Sequence, residues 1–229
     1  MPRYLVFDTE TTGLHLYAKR GEPPIPADAP GQPRMCSFTG IPLNDKLEPI
    51  DADILSALIR PPMFADKPEW VVSEGASAVN NITTEMCVRS GIPVEDVLRV
   101  WTQYIQDGWV PIAWNAQFDT KIIRGELRRA GMPDLFEQTL NICAMKASTE
   151  ICQIAPTAKM MATGRKTFKQ PKLQEAYQYF FGEPFADAHS SLADSHATVR
   201  IVQELAKLGR LPEPSILYAK SREDAAPPV

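Results

Sequence analysis

Asp8 and Glu10 stand two positions apart at the end of an apolar run, Arg3-Tyr-Leu-Val-Phe7. Side chains alternate along a strand, so these two carboxylates project from the same side. Like charges that close repel, and each raises the other's pKa unless a cation lies between them. A divalent metal with oxygen ligands resolves the conflict; a solvated strand end with two unrelated acids would show the same spacing. Asp119 falls in the first turn of a helix that follows a second apolar run, Trp109–Trp114. A carboxylate there complements the helix dipole. It can also meet Asp8 and Glu10, because a layered fold places the ends of the two strands near each other. His189 and Asp194 flank the start of a later helix. A neutral imidazole near pH 7 is the usual general base, and His189, in the approaching loop, can swing over a site held by Asp194. A surface histidine and a dipole-complementing acid are the plainer reading of that pair.

These groups need elements to hold them. Arg3–Phe7 reads as a buried strand ending at Asp8, and Met35–Pro42 as a second. A further extended stretch lies between Leu47 and Arg60. Five prolines and two glycines between His15 and Arg34 exclude regular structure and leave a long insertion loop, residues 15–34. Thr83 caps a short helix that Gly91 ends. Pro93 opens another, with Val94, Val97, Leu98, Trp101, Tyr104 and Ile105 at helical spacing and Gly108 as the stop. Trp109–Trp114 reads as a strand, although Pro111 fits badly in a central one. Asn115 is the N-cap of the helix carrying Phe118, Ile122, Ile123 and Leu127. A strand within Thr139–Cys143 and helices over Lys172–Phe181 and Ser190–Leu208 complete the pattern, the last with Ser190 or Ser191 as cap and an inward stripe of Leu192, Val199, Val202 and Ala206. Strands first, then strands alternating with helices, give an α/β or α+β layered domain with a mixed sheet. Residues 1–210 form one domain, and residues 211–229 a flexible tail.

Three segments together resemble the motifs of the DnaQ-like 3′–5′ exonucleases in their histidine (DEDDh) variant. Phe7-Asp-Thr-Glu-Thr-Thr-Gly-Leu14 looks like the first motif, Asn115-Ala-Gln-Phe-Asp119 like the second and His189-x4-Asp194 like the third. Ala78-Val-Asn-Asn-Ile-Thr83, Pro171–Gln174 and Phe181–Phe185 resemble connecting segments, so the likeness spans roughly residues 3 to 208. Two departures stand out: Trp114 replaces the histidine that often precedes the motif-two Asn, and the 15–34 insertion lacks a counterpart in the shortest relatives. Ser190 occupies the position a tyrosine variant would need. The resemblance implies an RNase H-like fold, a mixed central sheet flanked by helices, and two divalent cations, Mg²⁺ or Mn²⁺. Asp8 would bridge both, Glu10 and Asp194 would complete one, Asp119 would hold the second, and His189 would take the proton from the attacking water. Products would be 5′-mononucleotides from the 3′ end of single-stranded or frayed DNA, in proofreading or repair. RNA is the alternative substrate, and a non-catalytic module binding nucleic acid or a polymerase is the alternative of another class. Thr9, Gly13, Leu14, Asn115 and Phe118 would contact the terminal nucleotide.

Composition bounds these readings. At 229 residues, 44% hydrophobic, the chain can bury a sizeable core without disulfides or structural metal. Cys36, Cys87, Cys143 and Cys152 form no C-x-x-C pair and read as buried free thiols. The opening residues lack the apolar core of a signal peptide, and no 18-residue apolar run exists; a cytoplasmic protein with no membrane partner is expected. A net charge of −4 argues against a general polyanion binder. Its distribution argues otherwise. Ile151–Gln174 has no acid but carries Lys159, Arg165, Lys166, Lys169 and Lys172, with Lys166 and Lys169 as candidate backbone contacts, and Arg124, Arg128 and Arg129 add a basic helix face. The tail is a candidate polymerase contact. The partner expected from all this is nucleic acid with a free 3′ end, DNA ahead of RNA.

Overall fold

The computed structural model describes residues 2–19, 21–135, 138–164, 167–185 and 190–216. The first strand, β1 (Arg3–Thr11), runs beyond Asp8 to take in Thr9, Glu10 and Thr11. β2 (Met35–Leu43) returns antiparallel to it, Tyr4 opposite Leu43 and Glu10 opposite Ser37, and β3 (Leu55–Leu58) adds antiparallel outside β2. A small hairpin, β4 (Met63–Phe64) and β5 (Lys67–Pro68), lies apart from this sheet. Three helices follow, α1 (Glu74–Asn80), α2 (Thr84–Ser90) and α3 (Val94–Gln106). β6 (Trp109–Ala113) leads into α4 (Ala116–Arg129), and β7 (Leu140–Cys143) into α5 (Ala144–Cys152). After α6 (Ala158–Ala162), α7 (Leu173–Phe181) and α8 (Ser191–Lys207), β8 (Ser215–Ile216) closes the described chain. The sheet order is β3-β2-β1-β6-β7-β8, with β1, β6 and β7 parallel and the other pairings antiparallel.

Alternation along β1 divides the interior in two. Leu5 and Phe7 join Phe38, Leu98, Trp101, Ile122 and Leu127 beneath α3 and α4. Val6 joins Ile41, Ile112, Val199, Ile201, Val202 and Leu205 beneath α8. Both faces of the sheet are therefore covered by helices, which its parallel centre requires. Capping follows local chemistry: the Thr83 hydroxyl accepts the Met86 N–H at 3.2 Å, and Gly91 ends α2.

Several expectations change. Pro111 does sit in a central strand, opposite Leu5 of β1; β7 is registered only from Ile112 onward, so a single neighbour strand is paired at the proline. Asn115 and Ser190 occupy N-cap positions, but neither side chain makes a capping hydrogen bond. On α8 the inward face is Ser191, Ser195, Val199 and Val202, whereas Leu192 is 38% exposed. Helices α1, α5 and α6 have no counterpart in the sequence reading; α5 follows β7 with no intervening turn, so no start signal separates them. Within the segment expected to fray, Ser215 and Ile216 pair with Asn141 and Leu140; residues 217–229 lie outside the described residues.

The described part of the insertion has no regular structure, as its prolines require, yet it is seated. Gln32 is buried, accepts the Leu16 N–H at 3.0 Å and donates to the Leu16 carbonyl at 3.1 Å. A Cβ on Gly125 of α4 would lie 2.6 Å from the Ala27 carbonyl oxygen, so glycine is what lets the loop lie against the helix. The basic face expected of α4 is likewise spent on intramolecular contacts. Arg124 and Arg128 bond Asp134 at 2.8 and 3.0 Å, and Arg129 holds Glu126 and the Ala27 carbonyl. All four cysteines are free and buried, and burial pushes the Cys87 and Cys152 thiols up to about 11.

Candidate active site

The site forms where β1 outruns its parallel neighbour. β6 is registered with β1 only as far as Val6, so from Asp8 onward that flank of β1 lies open. The first turn of α4 fills it. Asp119 Oδ1 accepts the Thr9 backbone N–H at 3.0 Å and the Thr9 hydroxyl at 2.8 Å. Thr9 thus points to the α4 side, while Asp8 and Glu10, one position to either side, belong with Val6 to the α8 side. There the first turn of α8 brings Asp194. Oxygens of Asp8, Glu10 and Asp194 all lie within 4.8 Å of one another. A hydroxyl cluster seats this helix end on the sheet: the Ser191 Oγ lies 2.8 Å from that of Ser37 and 2.9 Å from Thr39 Oγ1.

Electrostatics shows that this arrangement is poorly solved by the protein alone. Burial, then the charges of Asp119, Glu10 and Asp194, drive the Asp8 carboxyl well above the usual range. Burial and the charges of Asp194 and Asp119 raise Glu10 to about 8. Asp119, only 3% exposed, is raised by burial to about 7 despite the hydrogen bonds from Thr9 that favour its anion. Among the described residues no lysine or arginine forms an ion pair with Asp8 or Glu10. Three convergent carboxylates, two of them with no lysine or arginine ion pair among the described residues, are a donor set for a hard divalent ion. The residues present fit the metal that the motif pattern implies.

Beside the carboxylates opens a cavity of about 540 Å³, lined mainly by apolar surface and sharing Glu10 with the cluster. Thr9, Gly13, Leu14 and Phe118 line it, so four of the candidate contact residues are brought together here. Asn115 does not line it; its side chain is exposed and its carbonyl accepts the Phe118 N–H at 2.8 Å. Lys169 is elsewhere, bonded to Glu175 at 2.6 Å. His189 and Lys166 lie outside the described residues. Trp114, the departure in motif two, is buried in the core beneath α8.

Sequence reasoning missed the opposite wall, which α1 supplies through Ser73, Gly75, Ala76, Val79 and Asn80. Ser73 caps this helix by accepting the Ala76 N–H at 3.1 Å, and Asn80 donates to the Thr11 carbonyl at 3.3 Å, tying the helix end to β1. The signal was present: a serine N-cap followed one turn on by small residues.

The fold recurs among solved nucleases. Escherichia coli exonuclease I in complex with a dT13 oligonucleotide superposes with a TM-score of 0.66 at 16% identity, covering 90% of this chain and 41% of that one. A 3′-exonuclease that recognises the histone mRNA stem-loop gives 0.62 at 15%, covering 93% and 84%. Cell-death related nuclease 4 gives 0.59 at 14%, covering 90% and 64%. The chain thus spans well under half the length of exonuclease I. No curated protein matches the sequence. The family profile RNase T, described as an exonuclease, matches residues 5–202, from within β1 to within α8 and across all four carboxylates. The RNase H-like architecture and this match agree, and the chain belongs to the RNase T exonuclease family, within the DnaQ-like 3′–5′ exonucleases.

Proposed function

We propose that this protein is a metal-dependent 3′–5′ exonuclease that hydrolyses single-stranded or frayed DNA from the 3′ end and releases 5′-mononucleotides. The observation that carries the reading is the convergence of Asp8, Glu10 and Asp194 within 4.8 Å at the edge of an apolar cavity large enough for a nucleoside. Asp8, Glu10 and Asp194 would hold one divalent cation, Mg²⁺ or Mn²⁺, and Asp8 with Asp119 a second. Bound there, such ions would activate water and offset charge at the scissile phosphate. The chain's own groups do the rest. Thr9 orients Asp119 through two hydrogen bonds, and the wall of Leu14, Val79 and Phe118 seats the terminal base. Gly13 adds no side chain, leaving space beside that wall. His189, the histidine of motif three, would accept the proton from the attacking water.

An exoribonuclease is the second reading. It is favoured by the coverage of 84% of the histone mRNA 3′-exonuclease by this chain. Digestion of 5′-labelled single- and double-stranded DNA and RNA, with Mg²⁺, Mn²⁺ or chelator, tests both. Mononucleotide products with stepwise 3′ shortening, lost with chelator and in Asp8→Ala, are expected. Undiminished activity in Asp8→Ala would refute the site, and a wild-type protein inert on every substrate would leave the binding module.

A further inference from the structure

The cavity accounts for a terminal nucleotide but not for the strand behind it, and the expected basic tracks on α4 are consumed by ion pairs. One surface next to the cavity combines an exposed ring with a cation. Leu14, on the cavity rim, is 83% exposed, and Tyr17, three residues on, is 71% exposed. Large side chains displayed this openly on an unanchored loop would be unremarkable; this loop is anchored. His15 is buried between them, its ring 4.7 Å from that of Phe118 and 6.1 Å from that of Tyr17. His15 also lies against the Phe118 carbonyl (3.3 Å), and Gln32 clasps Leu16 from both backbone groups. A continuous aromatic path therefore runs from Phe118, in the cavity wall, through His15 to Tyr17. On α4, Phe118 and Lys121 are three positions apart and share a face, and the Lys121 ammonium sits 4.9 Å from the Tyr17 ring centroid.

We propose that Tyr17 and Lys121 form a subsite for the nucleotides upstream of the cleaved one, Tyr17 stacking a base and Lys121 meeting the adjoining phosphate. An exposed ring on an anchored loop with a cation beside it is the pairing that binds single strands without reading their sequence. The occupant is single-stranded polynucleotide rather than protein, because the surface is continuous with the cavity and its charged member is a cation. This inference rests on the nuclease reading above.

The test compares kcat/KM on an eight-nucleotide and a two-nucleotide oligodeoxythymidine. Stacking contributes roughly 5- to 150-fold per base, so Tyr17→Ala should lower the eight-to-two ratio about tenfold, with Tyr17→Phe retaining the wild-type ratio. Lys121→Ala should lower it less and flatten its salt dependence. In parallel, 5-iodouracil placed upstream of the 3′ nucleotide should photocross-link to a peptide containing Tyr17. A Tyr17→Ala ratio within twofold of wild type, with the cross-link elsewhere, overturns the subsite and leaves the nuclease intact. Wild-type inertness toward both strands overturns the nuclease reading and the subsite with it. Tyr17 is exposed, so unchanged thermal melting is the expected control for folding.

Discussion

Thr9 shows how much one residue of the first motif carries. Its N–H and hydroxyl both serve Asp119; bonds to a charged group contribute about 1.5–3 kcal/mol each. Thr9→Val keeps the shape and the backbone bond but removes the hydroxyl. It should lower kcat/KM roughly tenfold, the equivalent of about 1.4 kcal/mol. It should also shift the acid limb of the pH–rate profile upward, since Asp119 loses a group that favours its anion. Thr9→Ser should restore both. Glu10 carries the complementary prediction. Its folded pKa of about 8 lies above its ordinary value of 4.5, so between those values the folded metal-free protein binds the extra proton. Metal-free stability should therefore be fullest below pH 4.5 and fall as pH rises to 8. Melting with chelator across that window should show the decline, and Mg²⁺ should offset it increasingly. Glu10→Gln should melt higher than wild type in chelator at pH 8, by several degrees, and respond little to Mg²⁺. A Mg²⁺ response equal to wild type would remove Glu10 from the metal site.

At the level of elements, the site depends on which helix approaches which side of β1. α4 arrives from one face and α8 from the other, and the order of strands makes both possible. The insertion is a further element in this sense, although it has no regular structure. Gly125→Ala gains about 1 kcal/mol of helix propensity, but the new methyl meets the Ala27 carbonyl and overpacking costs about 1–3 kcal/mol. The expected net effect is a melting temperature lowered by a few degrees, with new proteolytic cleavage between residues 21 and 31. A more stable variant with the loop still protected would mean the contact yields easily. The sequence made β1, β2, α2, α3, β7, α7 and α8 legible because periodicity and capping residues agree there. It hid α1, where the serine cap opens a helix of only seven residues, and α5, which follows β7 with no start signal between them. It also misassigned Arg124 and Arg128, because their partners Asp134 and Asp28 are reached only through the turn after α4 and the insertion, and Arg129, which bonds Glu126 on its own helix and the Ala27 carbonyl of the insertion. The carboxylates, by contrast, are marked by motif spacing, and the structure brings Asp8, Glu10 and Asp194 of that set together.

Across the whole molecule, charge is arranged rather than abundant. The net charge of −4 counts Asp8, Glu10, Asp119 and Asp194 as ionised; divalent cations bound at this cluster would hold those carboxylates in that form, move the balance toward neutrality and so favour a polyanionic substrate. Lys169 is the test of how the remaining cations act. Its bond to Glu175 is partly exposed, and such pairs contribute only about 0–1 kcal/mol, so a phosphate can compete for it. If it does, Lys169→Ala should raise KM and reduce the slope of log KM against log salt by about 0.7. Arg128→Gln should leave the slope as it is, because Asp134 holds that guanidinium.

The seam between the two cores has a temporal consequence. Asp8 and Asp194 are far apart in sequence, Asp8 on the first described strand and Asp194 on the last described helix. The β1–β2 pair can form early, yet its carboxylates have no third partner until α8 docks against the far side of the sheet. Contacts this distant in sequence close late and slowly. A nascent or truncated chain lacking residues 191–207 therefore keeps an incomplete carboxylate cluster, and the completed site becomes a marker that the last layer of the fold has closed.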